Sequence, residues 1–365
     1  EKALLESGWA ENVRIEIGQT GLIESIRSDQ RAEGQRTGVL LPAPANCHSH
    51  AFQRAMAGLT ERRGPAASDS FWTWRQLMFR FLDRLTPEHV ETIAAFVQME
   101  MLEAGYSGVA EFHYLHHDAG GTPYANLGEL SERIVAAAND VGIGLTLLPV
   151  LYQFGGLDKR PLAGGQRRFG NDPDQFARLH EGAAKAVMSG HGDYNIGVAP
   201  HSLRAVDGVG LDRAITLAGT GPIHMHLAEQ VAEVEEVQGA FKARPTEWLL
   251  DHYDVDPRWC LIHCTQMTAQ ETRALAESGA VAGLCPITEA NLGDGIFNGT
   301  QYLGHNGKIG FGSDSNVHIS LFDELKSLEY SQRLRDGTRA ALASSDKSTG
   351  RRMFDGILAG GAQAS

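Results

Sequence analysis

Residues 39–50 read Val39-Leu40-Leu41-Pro42-Ala43-Pro44-Ala45-Asn46-Cys47-His48-Ser49-His50, an apolar, strand-like run that stops on two histidines. The pattern returns along the chain. Apolar runs suited to strands lie at 39–46, 108–112, 144–151, 194–200, 222–226, 259–263, 280–286 and 308–313, with helix-like periodicity between them at 87–104, 127–141, 173–187, 212–218, 245–252 and 269–278. Eight such strand–helix alternations predict an α/β fold, a parallel sheet closed into a (β/α)8 TIM-type barrel. A doubly wound open sheet is the competing architecture. The absence of a Gly-x-Gly-x-x-Gly turn after the first run counts against it.

Working outward, Val13–Ile17 alternates and Gly21–Ile26 follows a glycine turn, so residues 1–40 read as the N-terminal part of a small, β-sandwich-like accessory domain. The barrel is expected over 41–320, and 321–365 as a C-terminal helical segment, with helices at 321–334 and 351–360. A length of 365 residues suits one barrel of about 250 residues plus such additions. The stretch 152–169, rich in Gly, Arg and Pro, reads as a long loop at the barrel mouth.

Strand interiors ought to be apolar, yet six of the eight runs end in His or Asp: His48 and His50, His113, His201, His226, His263 and Asp314. A single His at a strand end is ordinarily a satisfied core or surface residue. Several on one barrel rim, where active sites sit, point to a site instead. His48 and His50 share a side of an extended segment because side chains alternate with period two. With His226 and Asp314 they supply three nitrogens and one oxygen, a set that suits Zn²⁺ with a position left for water; Fe²⁺ is chemically compatible. Three residues past His226, Glu229 can fold back over that water as a proton shuttle. The plainer alternative is an acid that only starts the next helix, where the macrodipole favours it. His224 reads as an interior residue deeper in the barrel, and His116 and His117 as loop residues. Strand four ends Ala199-Pro200-His201 without the lysine that bridges two metals in binuclear barrels, which argues for one metal.

The formal net charge is −13, so nucleic acid and anionic membranes are poor partners, and an anionic substrate must be captured by local arginines. No window approaches about 18 consecutive apolar residues. Glu1–Glu6 lacks a basic stretch followed by an apolar one, so no signal peptide is expected, and with no Met at position 1 the numbering is expected to begin inside a longer polypeptide. Cys47, Cys260, Cys264 and Cys285 form no Cys-x-x-Cys pair and read as small buried thiols of a cytoplasmic protein.

His-x-His after strand one, His-x-x-Glu at strand five, His at strand six and Asp at strand eight together resemble the amidohydrolase superfamily in its single-zinc deaminase branch. Within it, the runs Cys47–Arg54, Phe71-Trp72-Thr73-Trp74-Arg75, Glu111–Tyr114, Ala199–Arg204 and Gly312–Asn316 are similar to the formimidoylglutamate deiminases of histidine degradation. The resemblance implies that His48, His50, His226 and Asp314 hold one zinc ion. It implies that Glu229, His263 and Asp314 are catalytic, with Glu229 moving protons and His263 polarising the attacked group. It also implies that Gln53, Arg75, Tyr114, His201 and Arg204 bind a small dicarboxylate, and that the enzyme is a homodimer. Arg75 and Arg204 fit that role chemically, since guanidinium groups grip carboxylates in bidentate fashion. Trp72 and Trp74 flank Arg75 and either shield it from water or belong to the core. The expected reaction is hydrolysis of N-formimidoyl-L-glutamate to N-formyl-L-glutamate and ammonia. The sequence departs from the family after strand eight, where it looks truncated. Two other functions compete: a single-zinc deaminase of a heterocyclic base or nucleoside, and a non-catalytic, metal-stabilised barrel that binds a small anion.

Overall fold

Pro42 and Pro44 decide where the barrel begins. Proline lacks the N–H that a ladder needs, so the run expected as one strand over 39–46 is divided. In the computed structural model, which describes residues 1–61 and 71–365 with the side chains of 71–73 set aside, Val39–Leu40 and Ala45–Ser49 belong to different sheets. The expected role of Trp72 therefore lies outside the described residues.

The chain separates into two compact units, Glu1–Ala43 and Pro44–Ser365. In the first, β1 (Lys2–Leu5) pairs antiparallel with β2 (Gly8–Glu11) and parallel with β5 (Val39–Leu40). There, β3 (Arg14–Ile17) and β4 (Ile23–Arg27) form a separate hairpin.

The second unit is a (β/α)8 barrel. Its strands are β6 (Ala45–Ser49), β7 (Gly108–His113), β8 (Gly144–Leu151), β9 (Tyr194–Ile196), β10 (Ala199–Pro200), β11 (Ile223–Leu227), β12 (Trp259–His263), β13 (Val281–Leu284) and β14 (Lys308–Phe311). All neighbours are parallel, in the order β10-β8-β7-β6-β14-β13-β12-β11, with β9 also on β8. A parallel bridge from Val198 to Ile223 joins the two ends of that path and closes the ring. Strand four, expected unbroken over 194–200, is interrupted at Gly197-Val198. A Cβ at Gly197 would meet the Pro222 carbonyl oxygen at 2.3 Å, so only glycine permits this approach.

Amphipathic helices cover the outside and start where their caps place them. Thr86 accepts the His89 N–H ahead of Pro87–Glu103, and Asp172 accepts two amides ahead of Pro173–Met188. The helix expected over 351–360 runs from Thr349 to Ala364 and packs across β14 and β6. Its glycines make that possible: a Cβ at Gly360 would lie 1.9 Å from the Ile309 carbonyl oxygen. His224 is the interior residue expected, and its Nε2–H donates to the Ala364 carbonyl at 2.7 Å. All four cysteines are buried and free. Among the described residues no helix is long and apolar enough to cross a membrane.

Candidate active site

At the ends of three barrel strands the backbone turns left-handed without glycine: Ala228 (φ 50°), His263 (φ 71°), Cys264 (φ 53°) and Asp314 (φ 46°). Each such residue costs about 1–2 kcal/mol, and strain of this kind gathers at functional sites. The sharp turns hold His263 and Asp314 at the mouth and bring Glu229 back over it.

A polar network ties strand one to strand eight. Asn46 Nδ2–H donates to Ser313 Oγ at 2.6 Å, Ser313 donates to Asn316 Oδ1 at 2.6 Å, and Asn316 Nδ2–H donates to Ser49 Oγ at 3.1 Å. The backbone completes the tie, with Asp314 N–H to His48 O and His50 N–H to Asp314 O, each 2.9 Å. This network sets the His-x-His pair against Asp314.

The four proposed ligands converge. His48 Nε2 lies 3.2 Å from the Nε2 atoms of both His50 and His226, and Asp314 Oδ1 lies 3.3 Å from His50 Nε2 and 3.5 Å from His48 Nε2. Donors about 2.0–2.1 Å from a tetrahedral ion stand about 3.3–3.4 Å apart, so the spacing fits zinc. The protonation states fit as well. His50 Nδ1–H donates to Phe112 O and His226 Nδ1–H to His201 O, both 3.1 Å, which turns each Nε2 lone pair inward. Burial lowers all three histidines, His48 to about 3, so the imidazoles are neutral. Burial alone would raise Asp314, but the His48 hydrogen bond and neighbouring histidines hold it well below the usual carboxylate range. Three buried imidazoles and a carboxylate at these distances suit a cation held between them.

Beside this cluster, Glu229 Oε1 is 3.9 Å from His263 Nε2, and Glu229 Oε2 is 3.6 Å from Arg204 Nη2. Burial raises the Glu229 carboxyl despite the attraction of His263 and Arg204. Burial would lower His263, but Glu229, Glu289 and Asp314 outweigh it and raise the imidazole to about 10. Two buried acids that the sequence reading did not single out steady the pair. Glu233 accepts the Glu229 N–H at 2.9 Å, and Glu289 accepts His263 Nδ1–H at 3.3 Å as well as the Cys285 N–H at 2.8 Å.

A pocket opens over these groups and is lined by all the expected site residues except His48. Gln53 Nε2–H donates to Tyr114 Oη at 2.8 Å, while Gln53 Oε1 is buried and finds no partner among the described residues. Arg75 Nη2–H donates to Tyr152 Oη at 2.8 Å. Tyr152 and Phe169, also on the wall, come from the loop expected to cover the mouth. Tyr152 directly follows β8, so it obeys the same strand-end rule that marked the histidines; that rule had been applied only to His and Asp. The exception among the expected rim residues is His113, which is absent from the pocket and packs its ring 5.2 Å from that of His116. Period-two alternation explains it: Phe112 faces the cluster, 4.4 Å from the His226 ring, so His113 faces away. His116 and His117 are buried loop residues bonded to the Val150 and Gly170 carbonyls.

A parallel barrel with a candidate metal site and an acid–histidine pair at the C-terminal ends of its strands has the layout of a hydrolase, and residues 39–346 match the Amidohydrolase family, to which the chain belongs. Residues 1–36 match a second family, Formimidoylglutamate deiminase HutF, N-terminal domain. The chain is 50% identical to formimidoylglutamate deiminase from Pseudomonas aeruginosa over 371 aligned positions, covering 100% of this chain and 81% of that protein. It is similar to the crystal structure of an amidohydrolase from Brucella melitensis, with TM-score 0.95, 54% identity, and coverage of 100% and 81%. An adenosine deaminase from Xanthomonas campestris with bound zinc shares the fold at TM-score 0.76 and 19% identity, over 100% of this chain and 79% of that one.

Proposed function

We propose that this protein is a zinc-dependent formimidoylglutamate deiminase, hydrolysing N-formimidoyl-L-glutamate to N-formyl-L-glutamate and ammonia in histidine degradation. The observation that carries the proposal is one barrel mouth where three clustered histidines with Asp314 beside them, an acid–histidine pair and two arginines meet. A heterocyclic base offers those arginines no carboxylate to bind. An anion-binding barrel without activity needs neither Glu229 nor His263.

His48, His50, His226 and Asp314 would hold the zinc, which supplies a Lewis acid that makes water acidic enough to act as a nucleophile near neutral pH. Glu229, with its carboxyl raised by burial, accepts a proton from the attacking water and delivers it to the departing nitrogen. His263, held by Glu289, orients the attacked group and stabilises the intermediate as the formimidoyl carbon becomes tetrahedral. The unpartnered Gln53 Oε1 accepts from the N–H groups of the cationic formimidoyl head. Arg75, Tyr114, His201 and Arg204 hold the two carboxylates and keep the reacting carbon within reach of the water.

The test is ammonia release from N-formimidoyl-L-glutamate by protein of measured zinc content. Turnover that disappears with a chelator and returns with Zn²⁺ supports the proposal. A zinc-loaded sample that is inert toward this substrate but deaminates a purine or pyrimidine overturns it.

A further inference from the structure

Glu111 is a buried carboxyl that the proposed chemistry leaves unused. It stands on β7, one residue before Phe112. Phe112 faces the metal cluster, so by period-two alternation Glu111 faces outward, into the layer between sheet and helices. That layer is ordinarily apolar, yet the side chain of Glu111 is buried there. Burial raises its carboxyl to about 8, although the Ala51 N–H and the Ser49 hydroxyl pull it down. A polar group in such a place costs stability unless hydrogen bonds hold it.

Those bonds go to the segment that carries His50. His48 and His50 face inward, so Ser49 between them faces outward, where it pairs in register with Glu111 and donates its hydroxyl to the carboxyl. Glu111 Oε1 accepts the Ala51 N–H at 2.7 Å. Ala51 opens the short helix Ala51–Met56, and the first amides of a helix have no partner within it. The side chain just before that helix is His50, which makes no cap because its ring is already engaged. Its Nδ1–H goes to the Phe112 carbonyl at 3.1 Å and its Nε2 faces the cluster. Two adjacent residues of β7 thus hold the His50 ring and the amide through which the chain leaves it. Asn316 extends the same tie to strand eight by donating to Ser49 Oγ at 3.1 Å.

We propose that Glu111 is a positioning residue: by accepting the Ala51 N–H and the Ser49 hydroxyl it fixes the turn after His50, and with it the direction from which that imidazole meets the metal. Glu111 does not line the pocket and acts only through this segment. The inference rests on the functional reading above in taking the histidine cluster as the zinc site.

The experiment compares wild type with Glu111→Gln and Glu111→Met, reading zinc affinity by competition against a chelator and the thermal midpoint of the metal-free protein. Glutamine keeps an acceptor for the Ala51 N–H without the charge; methionine keeps the bulk and removes the acceptor. Glu111→Met is expected to bind zinc about 10–100-fold more weakly, and Glu111→Gln to stay within about threefold of wild type. Wild-type zinc affinity in Glu111→Met overturns the proposal, and so does a loss in Glu111→Gln as large as in Glu111→Met. A purely structural role would lower the midpoint and leave zinc affinity intact, which overturns it too. If Glu111→Met does not fold, amide exchange in metal-free wild type decides: the Ala51 amide is expected to be protected before zinc binds, and exchange as fast as in an unfolded chain overturns the proposal. None of these readouts needs a substrate. Zinc-loaded wild type that leaves N-formimidoyl-L-glutamate untouched would therefore sink the functional reading and leave this test standing, whereas wild type that binds no zinc takes the role of Glu111 down with the metal site.

Discussion

Glu229 is the residue on which the proposed chemistry turns. It is not one of the four proposed metal ligands, yet it sits 3.9 Å from His263 and 3.6 Å from Arg204. Glu229→Gln should therefore keep the metal while kcat drops about 10²–10⁴-fold, the usual worth of general acid–base catalysis. Metal analysis and ammonia release on the same sample check this, and a near-normal kcat would remove Glu229 from the mechanism. Asn316 gives the opposite separation. It bonds Ser313, Ser49 and the His50 carbonyl and does not line the pocket, so Asn316→Ala should weaken zinc about 10–100-fold through the ligands it orients. Competition against a chelator measures that, with activity restored by excess Zn²⁺. The proposed ligands were legible in the sequence because strand ends in a barrel share a rim. Asn46, Asn316, Glu233 and Glu289 were not, because their roles depend on which neighbour faces them across strands far apart in the chain.

Among the elements, the C-terminal helix Thr349–Ala364 shows how tightly the barrel tolerates contact. Gly360 lies against the Ile309 backbone, and a Cβ there would stand 1.9 Å from its carbonyl oxygen. Gly360→Ala is expected to cost about 1–3 kcal/mol as overpacking. Thermal unfolding should register a lower midpoint while kcat of the folded fraction stays unchanged; an unaltered midpoint would mean that the helix is not seated on β14 as described. Sequence periodicity located this helix, at 351–360, but could not seat it, since a small-residue face is equally at home in several packings. The divisions at Pro42–Pro44 and at Gly197 were missed for a related reason. An apolar run looks continuous until its backbone partners are known, and it was the missing proline N–H and the crowding at Pro222 that ended it.

At the scale of the whole molecule, a net charge of −13 surrounds a pocket proposed to take a dianion. The long-range field opposes approach and is screened by salt, whereas contacts with the buried Arg204 are screened much less. Added inert salt between about 0.01 and 0.15 M should thus raise kcat/KM for the dicarboxylate substrate. A fall would show that the arginines steer from a distance and outweigh the global field. The sequence by itself determined the barrel, its strand-end histidines and aspartate, and the chemical class of the site, because strand alternation and covalent spacing are local and the closed sheet then leaves a single rim for those ends. Only the tertiary structure decided that His113 faces away, that Tyr152 enters the pocket beside Arg75, and that buried Glu233 and Glu289 brace Glu229 and His263. Those outcomes depend on side-chain direction and on contacts between distant segments, which close packing settles and linear spacing does not.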